Sequence, residues 1–124
     1  MPYKLIWEHR GVIKHFSGFV TGPEIFQAGM DAEGDSRFDD YRYAINDFLD
    51  CTGSSISPDL VDEVAAVDLV AARVNRKIRI AVVATAPEII EAATQYANSP
   101  MNVYPTRIFS NRKDARAWLD ADNE

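Results

Sequence analysis

The stretch Ile78-Arg79-Ile80-Ala81-Val82-Val83-Ala84 is apolar almost without a break, and a strand of that composition has to be covered on both faces. A chain that contains it needs a sheet with helices packed against it, not an open antiparallel meander. The flanking sequence supplies the helices. Upstream, Leu60, Val64, Val67, Ala71 and Val74 recur at spacings of four and three, an apolar stripe along a helix of about four turns. Ser57 before Pro58 is its predicted N-cap. Downstream, Thr85-Ala86-Pro87-Glu88 repeats in kind Thr21-Gly22-Pro23-Glu24. A Thr followed three residues later by Glu is a capping box, so helices are predicted to begin near residues 22 and 86.

The remaining elements follow from shorter signals. Leu5 to Glu8 and Val12 to Phe16 flank Arg10-Gly11 and read as a hairpin. Tyr41 to Asn46 is aromatic and β-branched enough for a strand, and Thr106 to Phe109 gives the last one. Ser110 is the predicted cap of a final helix through Ala115, Trp118 and Leu119. Gly34 to Asp40 reads as a polar surface loop, and residues 120–124 as a frayed tail. The order β-β-α-β-α-β-α-β-α predicts one α/β domain over residues 1–124, a mixed sheet of four or five strands covered by about four helices.

Bulk properties narrow the partners. The 124 residues carry a formal charge of -6 with a sequence pI near 4.8, which opposes a phosphate backbone, so no nucleic acid is expected. Arg73, Arg76, Lys77 and Arg79 cluster where a helix ends and a strand begins, a place the helix dipole favours for cations. A single cysteine, Cys51, excludes an internal disulfide and a multi-Cys metal site. No apolar run approaches the ~20 residues of a membrane span and the N-terminal stretch lacks a signal-peptide core, so a cytoplasmic protein is expected, with no cofactor or metal.

The candidate site is the segment from Ala44 to Pro58, read as the end of a strand, an Asp and a small-polar loop, and the start of a capped helix. Asp47, Thr52, Ser54, Ser55 and Ser57 are its interaction or phosphoacceptor candidates; Asp47 would also tie down the following loop, and Ser57 would also act as a plain N-cap. Cys51 has no base beside it and reads as inert. His9 and His15 lack metal-ligand spacing. Asp59, Asp62, Glu63 and Asp68 read as a solvated face. The helix after Ser57 carries more apolar surface than one packed face needs: Val61, Ala65, Ala66, Leu69, Val70 and Ala72 lie beyond its stripe. Val61, Ala65, Leu69 and Val70 are therefore candidates for an interface or a ligand cover. Phe19, Phe26 and Met30, on or beside the first helix, are pocket candidates.

The element order and several short pieces resemble the STAS family, the small domains of anti-sigma factor antagonists and of anion-transporter tails, and more closely its SpoIIAA-like (STAS/SEC14-like) group. The pieces are Phe16-Ser17-Gly18 closing the second strand, Asp47 ending the third, Ala84-Thr85-Ala86-Pro87-Glu88, Arg107-Ile108-Phe109 and Ala115-Arg116-Ala117-Trp118-Leu119. In STAS antagonists a serine opening the helix after the Asp-bearing loop is phosphorylated, which places that role at Ser55 to Ser57; here Ile56 interrupts the family's Asp-Ser-Ser-Gly signature and Pro58 stands where a glycine would. The resemblance to the SpoIIAA-like group implies the fold and little about activity. The missing catalytic constellation and the wide apolar helix lead us to expect a non-catalytic binding module, a homodimer that meets a protein partner through residues 47–72. The alternative is a small carrier of an apolar molecule or lipid, with the helices beginning near residues 22 and 58 opening over the sheet. An enzyme is the weakest reading, since a base, a nucleophile and an oxyanion or metal partner do not occur together.

Overall fold

The computed structural model describes residues 3–121. β1 (Tyr3–Glu8) and β2 (Gly11–Thr21) form an antiparallel hairpin; α1 (Gly22–Glu33), a 3-10 turn (Ser36–Asp39), β3 (Tyr43–Ser55), α2 (Pro58–Ala71), β4 (Arg79–Val83), α3 (Pro87–Ala97), β5 (Thr106–Phe109) and α4 (Arg112–Ala121) follow. The five strands lie in chain order, and every pair after the first is parallel. The expected α/β architecture and its order of elements are both present.

Alternation along the strands divides the core in two. Val12 and Phe16 of β2, Ala44 and Phe48 of β3, and Ile80 and Val82 of β4 face α1, α2 and α3, which contribute Ala28, Val61, Ala65, Ile89 and Tyr96. Phe16 and Phe48 stack with centroids 4.6 Å apart. Ile45, Ala81 and Val83 point the other way, onto Ala115 and Leu119 of α4. One helix is thus set against three. Two ion pairs dock it besides its apolar contacts: Arg112 Nε donates to Asp47 Oδ2 at 2.5 Å, and Arg116 donates a fork of bonds to Glu8 at 2.6 and 2.7 Å. Tyr43 also donates to Glu8.

Several local expectations need correction. The strands of the hairpin and of residues 41–46 are longer than predicted: β2 runs past Phe16-Ser17-Gly18 to Thr21, and β3 runs through Asp47 to Ser55, so the predicted small-polar loop is a strand. Its far half pairs Gly18 with Cys51 and Thr21 with Ser55 across two register shifts. Gly18, at φ +69°, supplies the left-handed backbone that one irregularity uses. The Thr21 capping box forms as expected, with Thr21 N donating to Glu24 Oε1 at 2.7 Å. The matching box at Thr85 does not, because α3 is capped by Ala86 without a side-chain bond. Ser110 is not the cap of α4 either; Asn111 Oδ1 accepts from Asp114 N at 2.8 Å. The 34–40 connection carries a 3-10 turn with Phe38 buried. Asp120 and Ala121 finish α4, and the remainder of the predicted frayed tail lies outside the described residues.

Gly11 sits beneath the ring of Tyr43, where a Cβ would lie 2.1 Å from Cζ. Gly11→Ala therefore displaces Tyr43 and loosens its bond to Glu8; we expect a loss of about 1–3 kcal/mol in urea unfolding. Gly29, on α1, has only Lys14 Nζ nearby at 3.9 Å, so Gly29→Ala is expected to gain up to about 1 kcal/mol in the same measurement.

Candidate functional site

The helix-covered face of the sheet is not filled. A cavity of about 100 Å³ lies among α1, α2, α3 and the middle strands, with Phe16, Phe48, Leu60, Val64, Val82 and Ile89 among its apolar walls. Phe26 and Met30 of α1 also line it, whereas Phe19 does not: its ring lies 59% exposed, against the backbone of Gly53.

Five polar side chains reach the same space, Lys14, Glu33, Asn46, Asp68 and Tyr96. Lys14 and Asn46 are register partners on β2 and β3, each standing between two inward apolar residues of its strand. The Asn46 side-chain oxygen is buried with no hydrogen-bond partner. From α3, Tyr96 donates to Asp68 Oδ2 of α2 at 2.5 Å. Glu33 closes the set from the end of α1, and burial is the main reason its carboxyl titrates high, at about 9; a hydrogen bond shared with Asp68 and the Asp68 charge push the same way, and Lys14 pulls it back. Glu33 thus keeps its proton at neutral pH, beside the Asp68 carboxyl with which it shares a hydrogen bond. Two carboxyls and an amide oxygen, set against one ammonium, make the polar part of this apolar cavity rich in acceptors.

The residues singled out in the sequence are dispersed. Asp47 is 2% exposed and fully engaged, its Oδ1 accepting from Leu49 N at 3.0 Å and its Oδ2 from Arg112. Thr52 and Ser55 are exposed and Ser54 half-buried on β3. Ser57 caps α2, accepting from Leu60 N at 3.2 Å. Val61 and Ala65 are core residues, not surface; Leu69 and Val70 are exposed, Val70 at 62%. Asp68, read as part of a solvated face, turns into the cavity instead. The Cys51 thiol is pushed up to about 11, first by burial and then by the Asp47 and Asp50 charges, so it stays a protonated, poor nucleophile. His15 Nε2 lies 2.8 Å from Asp50 Oδ2 on the opposite face. Among the described residues no group of three or more His, Cys, Asp or Glu could hold a metal ion.

Sequence reasoning missed Glu33, Asn46 and Lys14. The signal was there: Glu33 continues the spacing of Phe26 and Met30, and Asn46 and Lys14 occupy inward positions of strands that otherwise alternate cleanly.

Two solved structures align with nearly the whole chain. One is the anti-sigma factor antagonist SpoIIAA in its unphosphorylated form, 8% identical, with a TM-score of 0.58 over 97% of this chain and 98% of that one. The fold is SpoIIAA-like. The other is an uncharacterized protein of the DUF3478 family with a SpoIIAA-like fold from Shewanella loihica PV-4, 17% identical, with a TM-score of 0.54 over 94% and 91% of the two chains. No family model matches the sequence, and no curated protein does. No helix among the described residues is long and apolar enough to cross a membrane. Within this SpoIIAA-like fold the cavity is bounded by α1, α2, α3 and the middle strands, while the ion pairs that dock α4 lie on the other face of the sheet.

The proton held at Glu33 gives a stability signature. The folded state keeps a proton that the unfolded chain releases near the ordinary carboxyl value of 4.5, so this contribution is complete below about 4.5 and is lost as pH rises through about 9. We expect the thermal midpoint of the wild type to fall between pH 6 and 9 relative to that of Glu33→Gln, which carries no titrating group there; parallel curves for the two proteins would contradict it.

Proposed function

We propose that the protein is a non-catalytic binding domain that holds a small apolar molecule in the cavity between α1, α2, α3 and the sheet. One observation carries the reading: an apolar cavity of about 100 Å³ keeps a buried amide oxygen without a partner at its edge. A core selected for stability alone closes such a space and pairs such an atom. About half of the lining residues lie on α1 and α2, the two helices whose opening over the sheet a carrier would use. Ala93 lines the cavity and is half-buried, so Ala93→Phe fills it from one wall. Native mass spectrometry of gently purified wild type is expected to show a retained apolar mass that organic extraction releases, and Ala93→Phe is expected to lose it while remaining folded. Wild type free of any retained mass, together with equal uptake of apolar probes by both proteins, would refute the proposal.

A second reading keeps the fold's protein-binding use in view. SpoIIAA, which shares the architecture, is an anti-sigma factor antagonist, and this chain exposes Leu69, Val70 and Val74 together at the end of α2, Val74 at 65%. A protein partner or a second copy would meet that patch. Val70→Asp is expected to leave the unfolding midpoint unchanged within about 0.5 kcal/mol and to weaken self-association in analytical ultracentrifugation. A monomer at all concentrations would dispose of the second copy.

A further inference from the structure

We infer that the ligand of this cavity is a protonated amine on a small apolar body, its ammonium seated among Asn46, Glu33 and Asp68. The inference rests on the reading of the cavity as a ligand site and adds the chemistry of the head group.

The hydrogen-bonding inventory decides that chemistry. Acceptors outnumber donors: the Asn46 oxygen has no donor, and the Glu33 and Asp68 carboxyls offer more lone pairs than the Lys14 ammonium, the Glu33 proton and the Tyr96 hydroxyl can occupy. Tyr96 has spent its only proton on Asp68. A carboxylate head, such as that of a fatty acid, would have Lys14 as its attraction and two carboxyls against it. An alcohol brings one donor. An ammonium brings three donors and a charge that two carboxyls complement, while Phe16, Phe26 and Phe48 line the same cavity and would take the apolar body.

Charge balance also fits. The groups facing Glu33 are Lys14 from β2, Asp68 from α2 and Tyr96 from α3, with Tyr41 and Tyr104 nearby, both phenols held neutral by burial. Without ligand, the proton kept by Glu33 leaves a single negative charge in the pair against Lys14. When the ammonium enters, that proton leaves to solvent and the total is unchanged. Cation binding is therefore an exchange for a proton, and affinity rises with pH while the amine itself stays protonated.

Calorimetry on the full chain with benzylamine, benzyl alcohol and benzoate tests this, since the three share one apolar body. At pH 7 benzylamine is expected to bind at least about tenfold more tightly than the alcohol, the scale of a hydrogen bond to a charged group, and benzoate more weakly than either. Runs in two buffers of different ionisation enthalpy are expected to show about one proton released per amine bound. Glu33→Gln and Asp68→Asn should each remove the amine preference, and Glu33→Gln the proton release, while alcohol binding persists. Alcohol or benzoate binding as tightly as the amine overturns the ammonium assignment and leaves the apolar site standing. No binding by any of the three, with Ala93→Phe indistinguishable from wild type in uptake of apolar probes, overturns both.

Discussion

The structure depends on one topological constraint: its strands lie in chain order, and the connections after β2 are helical crossovers between parallel neighbours. Such crossovers share one hand, and with no reversal of strand order they deliver α1, α2 and α3 to the same face. The opposite face is left to α4, which follows the last strand and has no further strand to reach. Crowding on one side and sparse cover on the other both follow from that, and the two faces solve different problems. On the sparse side, α4 needs ion pairs through Asp47 and Glu8 to hold a short helix in place. On the crowded side, three helices share one set of inward strand positions and do not close over all of them.

That unclosed region sets stability against use. Taking a carboxyl out of water is costly unless it is neutralised or paired, and Glu33 is neutralised by holding its proton against Asp68. Apolar residues at positions 33, 46 and 68 would avoid the problem and would suit a cavity packed shut. Their polarity is the sort of local conflict with core packing that folded chains keep at functional sites. On the proposed reading, the acceptor-rich edge and the apolar walls form one amphipathic site.

The sequence displayed the order of elements because each has a local signal: the capping box before α1, spacings of four and three along α2, β-prone runs for the hairpin and β3, and an unbroken apolar run for β4. It did not display the length of β3. Asp50 to Ser55 carry small and polar residues that pattern analysis reads as loop, and what makes them a strand is the backbone ladder to Gly18 through Thr21, a partner distant in sequence. The width of the α2 apolar surface was visible, but its meaning was not. A helix between two others buries both flanks, so Val61 and Ala65 belong to the core, and only Leu69, Val70 and Val74, at its end, remain open. The site was legible residue by residue at best: Phe26 and Met30 line the cavity, whereas Glu33, Lys14 and Asn46 come together only once α1 lies across β2 and β3. Asn75 shows the same limit elsewhere, its buried amide donating to the carbonyls of Phe38 and Tyr41 at 2.8 and 2.7 Å, contacts across 37 and 34 residues.

α2 is the element through which the two proposed uses of the molecule would meet. Its first turn is fixed by the Ser57 cap, its middle lines the cavity with Leu60, Val64 and Val67, and its last turn places Asp68 in the polar cluster just before the exposed Leu69 and Val70. A ligand that draws Asp68 inward acts on the residue adjoining the surface patch, and the bond from Tyr96 ties the same carboxylate to α3.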